Sequence, residues 1–213
     1  MIIGINKASN CSINAPLSAP PRAMIYPQRI LTIAFLRPGP EEKDWVNNLV
    51  AKVSEHGISH AELVFEDGMS YSIFAGQNLY FKPRTFSNPD YELISLSVSH
   101  AEYVSAYNFC QETSGYTIGF TDAGMVACYF QPRRCPCINT GSSVYVGYTF
   151  CSKAITEALK HADVPEVEHL IPCTTSPATL YNAMRDSNRK VLCSVPYKRE
   201  LMRTVGVWRG GQM

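Results

Sequence analysis

Between positions 148 and 160 the apolar residues recur at Cys151, Ala154, Ile155, Ala158 and Leu159, with Lys153, Thr156, Glu157 and Lys160 between them. That spacing is the stripe of a 3.6-residue turn and predicts an amphipathic helix starting near Cys151. An aromatic and β-branched run, Tyr148-Thr149-Phe150, leads into it. Arg29 to Leu36 is an almost continuous apolar run stopped by Pro38-Gly39-Pro40, the mark of a buried strand. Glu41 to His56 reads as a helix with Trp45, Leu49, Val50 and Val53 on its apolar face and Gly57 as its stop. Two strand-like runs, Ile58 to Phe65 and Met69 to Phe74, flank Asp67-Gly68 and predict a hairpin. Alternation puts His60, Glu62 and Val64 on one face of the first strand, and Ser70 and Ser72 on one face of the second.

Tyr91 to Leu96 is the clearest later strand, and Ala101 to Thr113 the next helix, with Tyr103, Val104, Tyr107 and Cys110 on its apolar side. Ser176-Pro177 has the form of an N-cap followed by an N1 proline, opening a helix through Leu180, Tyr181 and Met184. Arg189 to Pro196 suits a last strand, whereas residues 114 to 147 are turn-rich and predict no clear element. The mixture is that of an α+β domain. Pro16, Pro20, Pro21 and Pro27 forbid a regular helix near the start, so residues 1–28 are expected as a flexible arm and 29–213 as a single domain.

At 213 residues, 46% hydrophobic and 17% charged, the chain has the composition of an ordinary globular domain. Its net charge of +1 leaves no bulk electrostatic footprint for nucleic acid, and no run reaches the ~18 apolar residues of an integral membrane segment. The first residues lack the apolar core of a signal peptide, so the eight cysteines are expected to be reduced and the protein cytoplasmic.

A thiol in the first turn of a helix lies near unpaired N–H groups and the positive end of the macrodipole. Both favour thiolate, and the same N–H groups can hold an oxyanion. Cys151 is therefore a candidate nucleophile, with a small buried apolar residue as its plainer reading. His60 and Glu62 are either a solvated pair on a half-buried strand or the lining of a cleft, where His60 takes a thiol proton. For a metal, Cys128, Cys135 and Cys137 with Cys110 or Cys173 offer thiolates, but C-x6-C-x-C lacks the paired knuckles of structural zinc sites. No metal and no cofactor is expected.

The segment SHAELVFEDGMSYSI, followed about ninety residues later by YTFCSKAITEALK and then by TTSPATLY, resembles the circularly permuted branch of the NlpC-type papain-like thiol hydrolases. That branch includes lecithin retinol acyltransferase relatives and poxvirus and other large-virus proteins. The histidine strand precedes the cysteine helix there, as here. The resemblance covers roughly Arg29 to Pro196 and implies an antiparallel sheet packed against a helix with the nucleophilic Cys151 at its N-terminus. It implies His60 as general base, while the third, orienting position falls on Glu62 or, as runner-up, Ser72. Because i and i+2 along a strand are about 6.6–7 Å apart, Glu62 can instead line the pocket. The implied activity is that of a cysteine peptidase or amidase acting on a peptide or acyl substrate through a Cys151 acyl-thioester. The alternatives are a thiol acyltransferase of the same fold and a catalytically silent binding module. A viral member would act in the host cytoplasm.

Overall fold

The structure is a computed structural model, and it describes residues 27–40, 45–86, 89–115, 118–120 and 148–191. Six strands form one antiparallel sheet in the order β4-β3-β2-β1-β5-β8. They are β1 (Arg29–Leu36), β2 (His60–Val64), β3 (Met69–Ser72), β4 (Tyr80–Pro83), β5 (Tyr91–Val98) and β8 (Lys190–Val191). Two short strands, β6 (Gly119–Phe120) and β7 (Tyr148–Thr149), pair in parallel. The helices are α1 (Trp45–Val53), α2 (His100–Ser114), α3 (Cys151–His161) and α4 (Pro177–Arg185). The α+β class and the antiparallel sheet agree with the sequence pattern. Among the described residues no helix is long and apolar enough to cross a membrane.

The sheet has two unlike faces. Leu31, Ile33, Phe35, Ala61, Leu63, Phe65, Tyr71, Ile94 and Leu96 join Tyr103, Ala106 and Cys110 of α2 and Ala154, Ile155, Ala158 and Leu159 of α3 in one apolar core. By the register Ala34↔Glu62, Leu36↔His60 and Val64↔Ser70, the alternate positions lie on the other face. His60, Glu62, Ser70 and Ser72 stand there, and all four are buried. This corrects the solvated-pair reading: β2 is buried at every residue, so its polar side chains have to find partners inside the protein.

The hairpin loop is longer than a two-residue turn. Gly68 sits at φ +83, and the Phe65 N–H bonds the Met69 carbonyl. That is a three-residue loop with its glycine in the left-handed region, where a side chain is strained. α1 departs from the expected face: Val50 is buried, but Leu49 and Val53 are 49% and 48% exposed. On α2, likewise, Val104 is exposed, and Phe109 takes a core place that the expected stripe did not give it. The cap of α2 is a Ser99–Glu102 capping box, which the sequence carries as Ser-x-x-Glu. Of the expected strand Arg189 to Pro196, Lys190–Val191 is observed, and 192–196 lie outside the described residues. The arm through Tyr26, residues 121–147 with Cys128, Cys135 and Cys137, and the Glu41-Glu42 helix start lie outside them too.

α3 packs on β2 and β3, and its own base is pinned from below. Ser152 Oγ donates to the Thr175 carbonyl at 2.7 Å, and Thr156 Oγ donates to the Ser152 carbonyl at 2.7 Å. The first bond ties the segment before α4 to the first turn of α3. Ser152→Ala leaves the Thr175 carbonyl without that donor, and a loss of about 1–2 kcal/mol is expected in urea unfolding. No change in midpoint would mean that the tether contributes nothing.

Candidate functional site

The N-cap of α3 is Phe150, an extended residue whose side chain gives no cap bond. The first-turn N–H groups therefore have no side-chain oxygen in front of them. The Cys151 and Ser152 N–H groups, together with the N–H of Ala61 on β2, are near enough to the Cys151 sulfur to favour its thiolate. Ala61 can spare its N–H because the recorded β2–β3 pairs are Val64↔Ser70 and Leu63↔Tyr71, and the ladder goes no further towards His60. At the next position Ser72 Oγ, in place of a main-chain donor, reaches the Ala61 carbonyl at 2.7 Å. The helix start thus meets β2 at the residue adjoining His60. The sequence places Cys151 and His60 some ninety positions apart, and the fold brings the Cys151 side chain to the backbone of the residue next to His60.

His60 Nε2 lies 3.4 Å from Ser72 Oγ and 3.7 Å from Glu62 Oε1. Ser72 has one hydroxyl hydrogen, committed to the Ala61 carbonyl, so toward His60 it can only accept. The ring hydrogen then belongs on Nε2, which leaves Nδ1 as the basic nitrogen. Glu62 is beyond hydrogen-bond distance of the ring. Its carboxylate, fully buried, is held by other groups: Ser70 Oγ and Tyr80 OH donate to Oε2 at 2.8 Å each, and Tyr91 OH donates to Oε1 at 3.1 Å. Arg84 Nη1 stands 3.4 Å from Oε1 and supplies the countercharge. Of the two third-position candidates, Ser72 contacts the imidazole and Glu62 anchors the layer beside it.

Burial dominates the electrostatics. Cys151 is 1% and His60 3% exposed. Burial pushes the Cys151 thiol up to about 11, against the pull of the three N–H groups and with a further push from the Glu62 charge. Burial, and then the Arg84 charge, bring His60 down to about 3. At neutral pH the pair is thiol and imidazole, so His60 and Glu62 do not form an ion pair. The helix-start N–H groups act in the expected direction, but the dry surroundings outweigh them. Burial and the Glu62 charge also hold the Tyr80 and Tyr91 phenols above the ordinary tyrosine value, so both remain donors.

Alternation carries signals that the sequence reading did not use. Tyr80 faces Ser72 across the β3–β4 pair, which puts it on the polar face with Ser70. Phe74, at the end of the expected second strand, stacks on His60. Arg84 has no such signal, because it follows the end of β4 and reaches Glu62 by the length of its side chain. Among the described residues no group of three or more His, Cys, Asp or Glu is arranged to hold a metal ion.

No family model, curated protein or solved structure matches this chain.

Proposed function

We propose that the chain is a cysteine-dependent hydrolase of the circularly permuted papain-like, NlpC-type class, with Cys151 as nucleophile and His60 as general base. The observation that carries this reading is that the Ala61 N–H, on the strand residue next to His60, joins the Cys151 and Ser152 N–H groups in favouring the Cys151 thiolate at the start of α3. A merely buried cysteine has no need of such donors. Cys110 of α2 is the contrast, its thiol raised by burial with no N–H group to offset it.

In the reaction, the Cys151 sulfur forms a bond to an acyl carbon while its proton passes to Nδ1 of His60. The carbonyl electron pair moves to oxygen, where the Cys151 and Ser152 N–H groups can hold it. Collapse breaks the bond to the leaving group, which takes the proton from His60 and leaves an acyl thioester. Water, giving its proton to the same nitrogen, then attacks the acyl carbon and releases the acid and the thiol. Ser72 keeps the Nε2 hydrogen in place throughout. In the closed site the thiol and imidazole values lie far apart, about 11 against about 3, so this state is a resting one. Entry of a polar substrate brings them together by hydrating or replacing the dry surroundings.

The burial of both groups favours one rival, a silent binding module. Peptide, ester and thioester donors, incubated with the protein in water with and without an added amine acceptor, separate the readings. Acid released in water and lost in Cys151→Ala is the expected result. Product formed only with the amine indicates an acyltransferase, and no product with any donor favours the module.

A further inference from the structure

Among the described residues the imidazole of His60 makes one hydrogen bond, between Nε2 and Ser72 Oγ at 3.4 Å, with Glu62 Oε1 farther off at 3.7 Å, so hydrogen bonding by itself fixes the ring plane weakly. Its flat face is covered by Phe74, with ring centroids 4.1 Å apart and planes inclined by 19°. Tyr80 stacks with Phe74 in turn, at 5.9 Å and 16°. The Arg84 guanidinium lies 5.1 Å from the Phe74 centroid. Phe74 is itself only half-buried, at the start of the β3–β4 connection, where the Gln77 N–H bonds its carbonyl. Histidine, phenylalanine and tyrosine thus form a stack whose inner member is the candidate base and whose middle member reaches solvent.

Resting on the reading of His60 as the base for Cys151, we propose that Phe74 is a positioning residue: its ring fixes the plane of the imidazole and keeps water from it. Offset stacking holds a ring's orientation more firmly than its small energy suggests, because tilting either ring opens a gap in a packed layer. With the plane fixed, Nε2 faces Ser72 and Glu62, and Nδ1 is the nitrogen left for the thiol. The charged groups around the ring are Glu62 on its own strand and Arg84 beyond β4. Ser72 completes the set from β3. Of the influences on His60 protonation, burial is the largest, and Phe74, itself half-buried, covers one face of the ring.

The test is a pH titration of the full chain labelled with ¹⁵N-histidine, with the His60 signals assigned by their absence in His60→Gln. Wild type is expected to show the Nε2–H tautomer and no protonation of His60 down to about pH 4, since its value lies near 3. Phe74→Ala is expected to raise the midpoint by roughly a unit or more as water enters, and to mix the two tautomers. Phe74→Leu, which keeps apolar bulk and protects against loss of folding, is expected to shift it less while still mixing tautomers. Phe74→Trp is expected to retain the wild-type pattern. An unchanged midpoint and a single tautomer in Phe74→Ala or, should that variant not fold, in Phe74→Leu overturns the proposal. The titration needs no turnover. If Phe74→Ala moves His60 but Cys151 never becomes acylated, the hydrolase reading fails and the hold of Phe74 on the ring stands.

Discussion

Replacing Glu62 with alanine is expected to destabilise the fold by on the order of 3–5 kcal/mol, the range for breaking a buried charged pair. The carboxylate is the single acceptor on which Ser70, Tyr80 and Tyr91 converge, and it is the countercharge of Arg84. Its removal takes the shared acceptor from Ser70 and Tyr80, both buried, and from the half-buried Tyr91, and each buried donor left without it carries a desolvation penalty. Arg84 suffers less, because its side chain is 25% exposed and can turn to water. Glu62→Gln keeps the volume and one acceptor oxygen, and the hydroxyls can rotate to accept from its amide, so its cost is expected to be about half. Denaturant unfolding of both variants measures this. A loss below about 1 kcal/mol in Glu62→Ala would mean that the network does not hold the polar face. A second readout is chemical: the Glu62 charge raises the Cys151 thiol, so Glu62→Gln is expected to increase the rate of Cys151 alkylation at fixed pH.

Acid is expected to weaken the protein through His60 well above the range in which carboxylates protonate. The imidazole binds a proton near pH 6.5 in the unfolded chain but only near 3 in the folded one. Between those values the unfolded state holds more protons, so stability rises with pH and is lost as pH falls from 6.5 toward 3. From pH 7 to pH 5 the loss is about 2 kcal/mol, or roughly 4–8 °C in Tm for a chain of this size. Glu166, held down to about 2 chiefly by its bonds to Arg189 and Ser187 against the effect of its own burial, adds a further loss only at lower pH. His60→Gln is therefore expected to flatten the stability curve between pH 7 and 5 while leaving the steeper fall below pH 4. An equal slope in wild type and variant would contradict a buried, neutral His60.

The chain's local patterns made much of this arrangement legible, and the gaps have physical causes. The stripe ending at Leu159, the Ser176-Pro177 start and the Asp67-Gly68 turn correspond to α3, α4 and the hairpin because each is decided by contacts within a few residues. α1 shows the limit of periodicity: Leu49 and Val53 repeat as a buried face should, yet both are exposed while Val50 is buried. Alternation along β2 gave the correct faces for His60 and Glu62 but could not tell that both faces are buried. The partners of Glu62 come from three separate stretches, at positions 70, 80–84 and 91, so no short motif announces them. The pairing of Ser72 with the Ala61 carbonyl depends on where the β2–β3 ladder stops, which the hairpin residues do not announce. The net direction of the Cys151 shift is opposite to the thiolate that the helix start suggests, because helix-start N–H groups can be read from sequence and desolvation cannot.

The measurement that bears most directly on the role of Cys151 and His60 is acyl transfer from an activated thioester to the full chain, followed by mass mapping between pH 5 and 9. Cys110, equally buried but with no N–H group lowering its thiol, is the control within the same molecule. Expected is an acyl adduct at Cys151 and none at Cys110, formed at least about 100-fold more slowly in His60→Gln, the usual minimum for a positioned general base. Acylation of Cys151 no faster than Cys110, or at the same rate in His60→Gln, would contradict the account and leave Cys151 as a core residue.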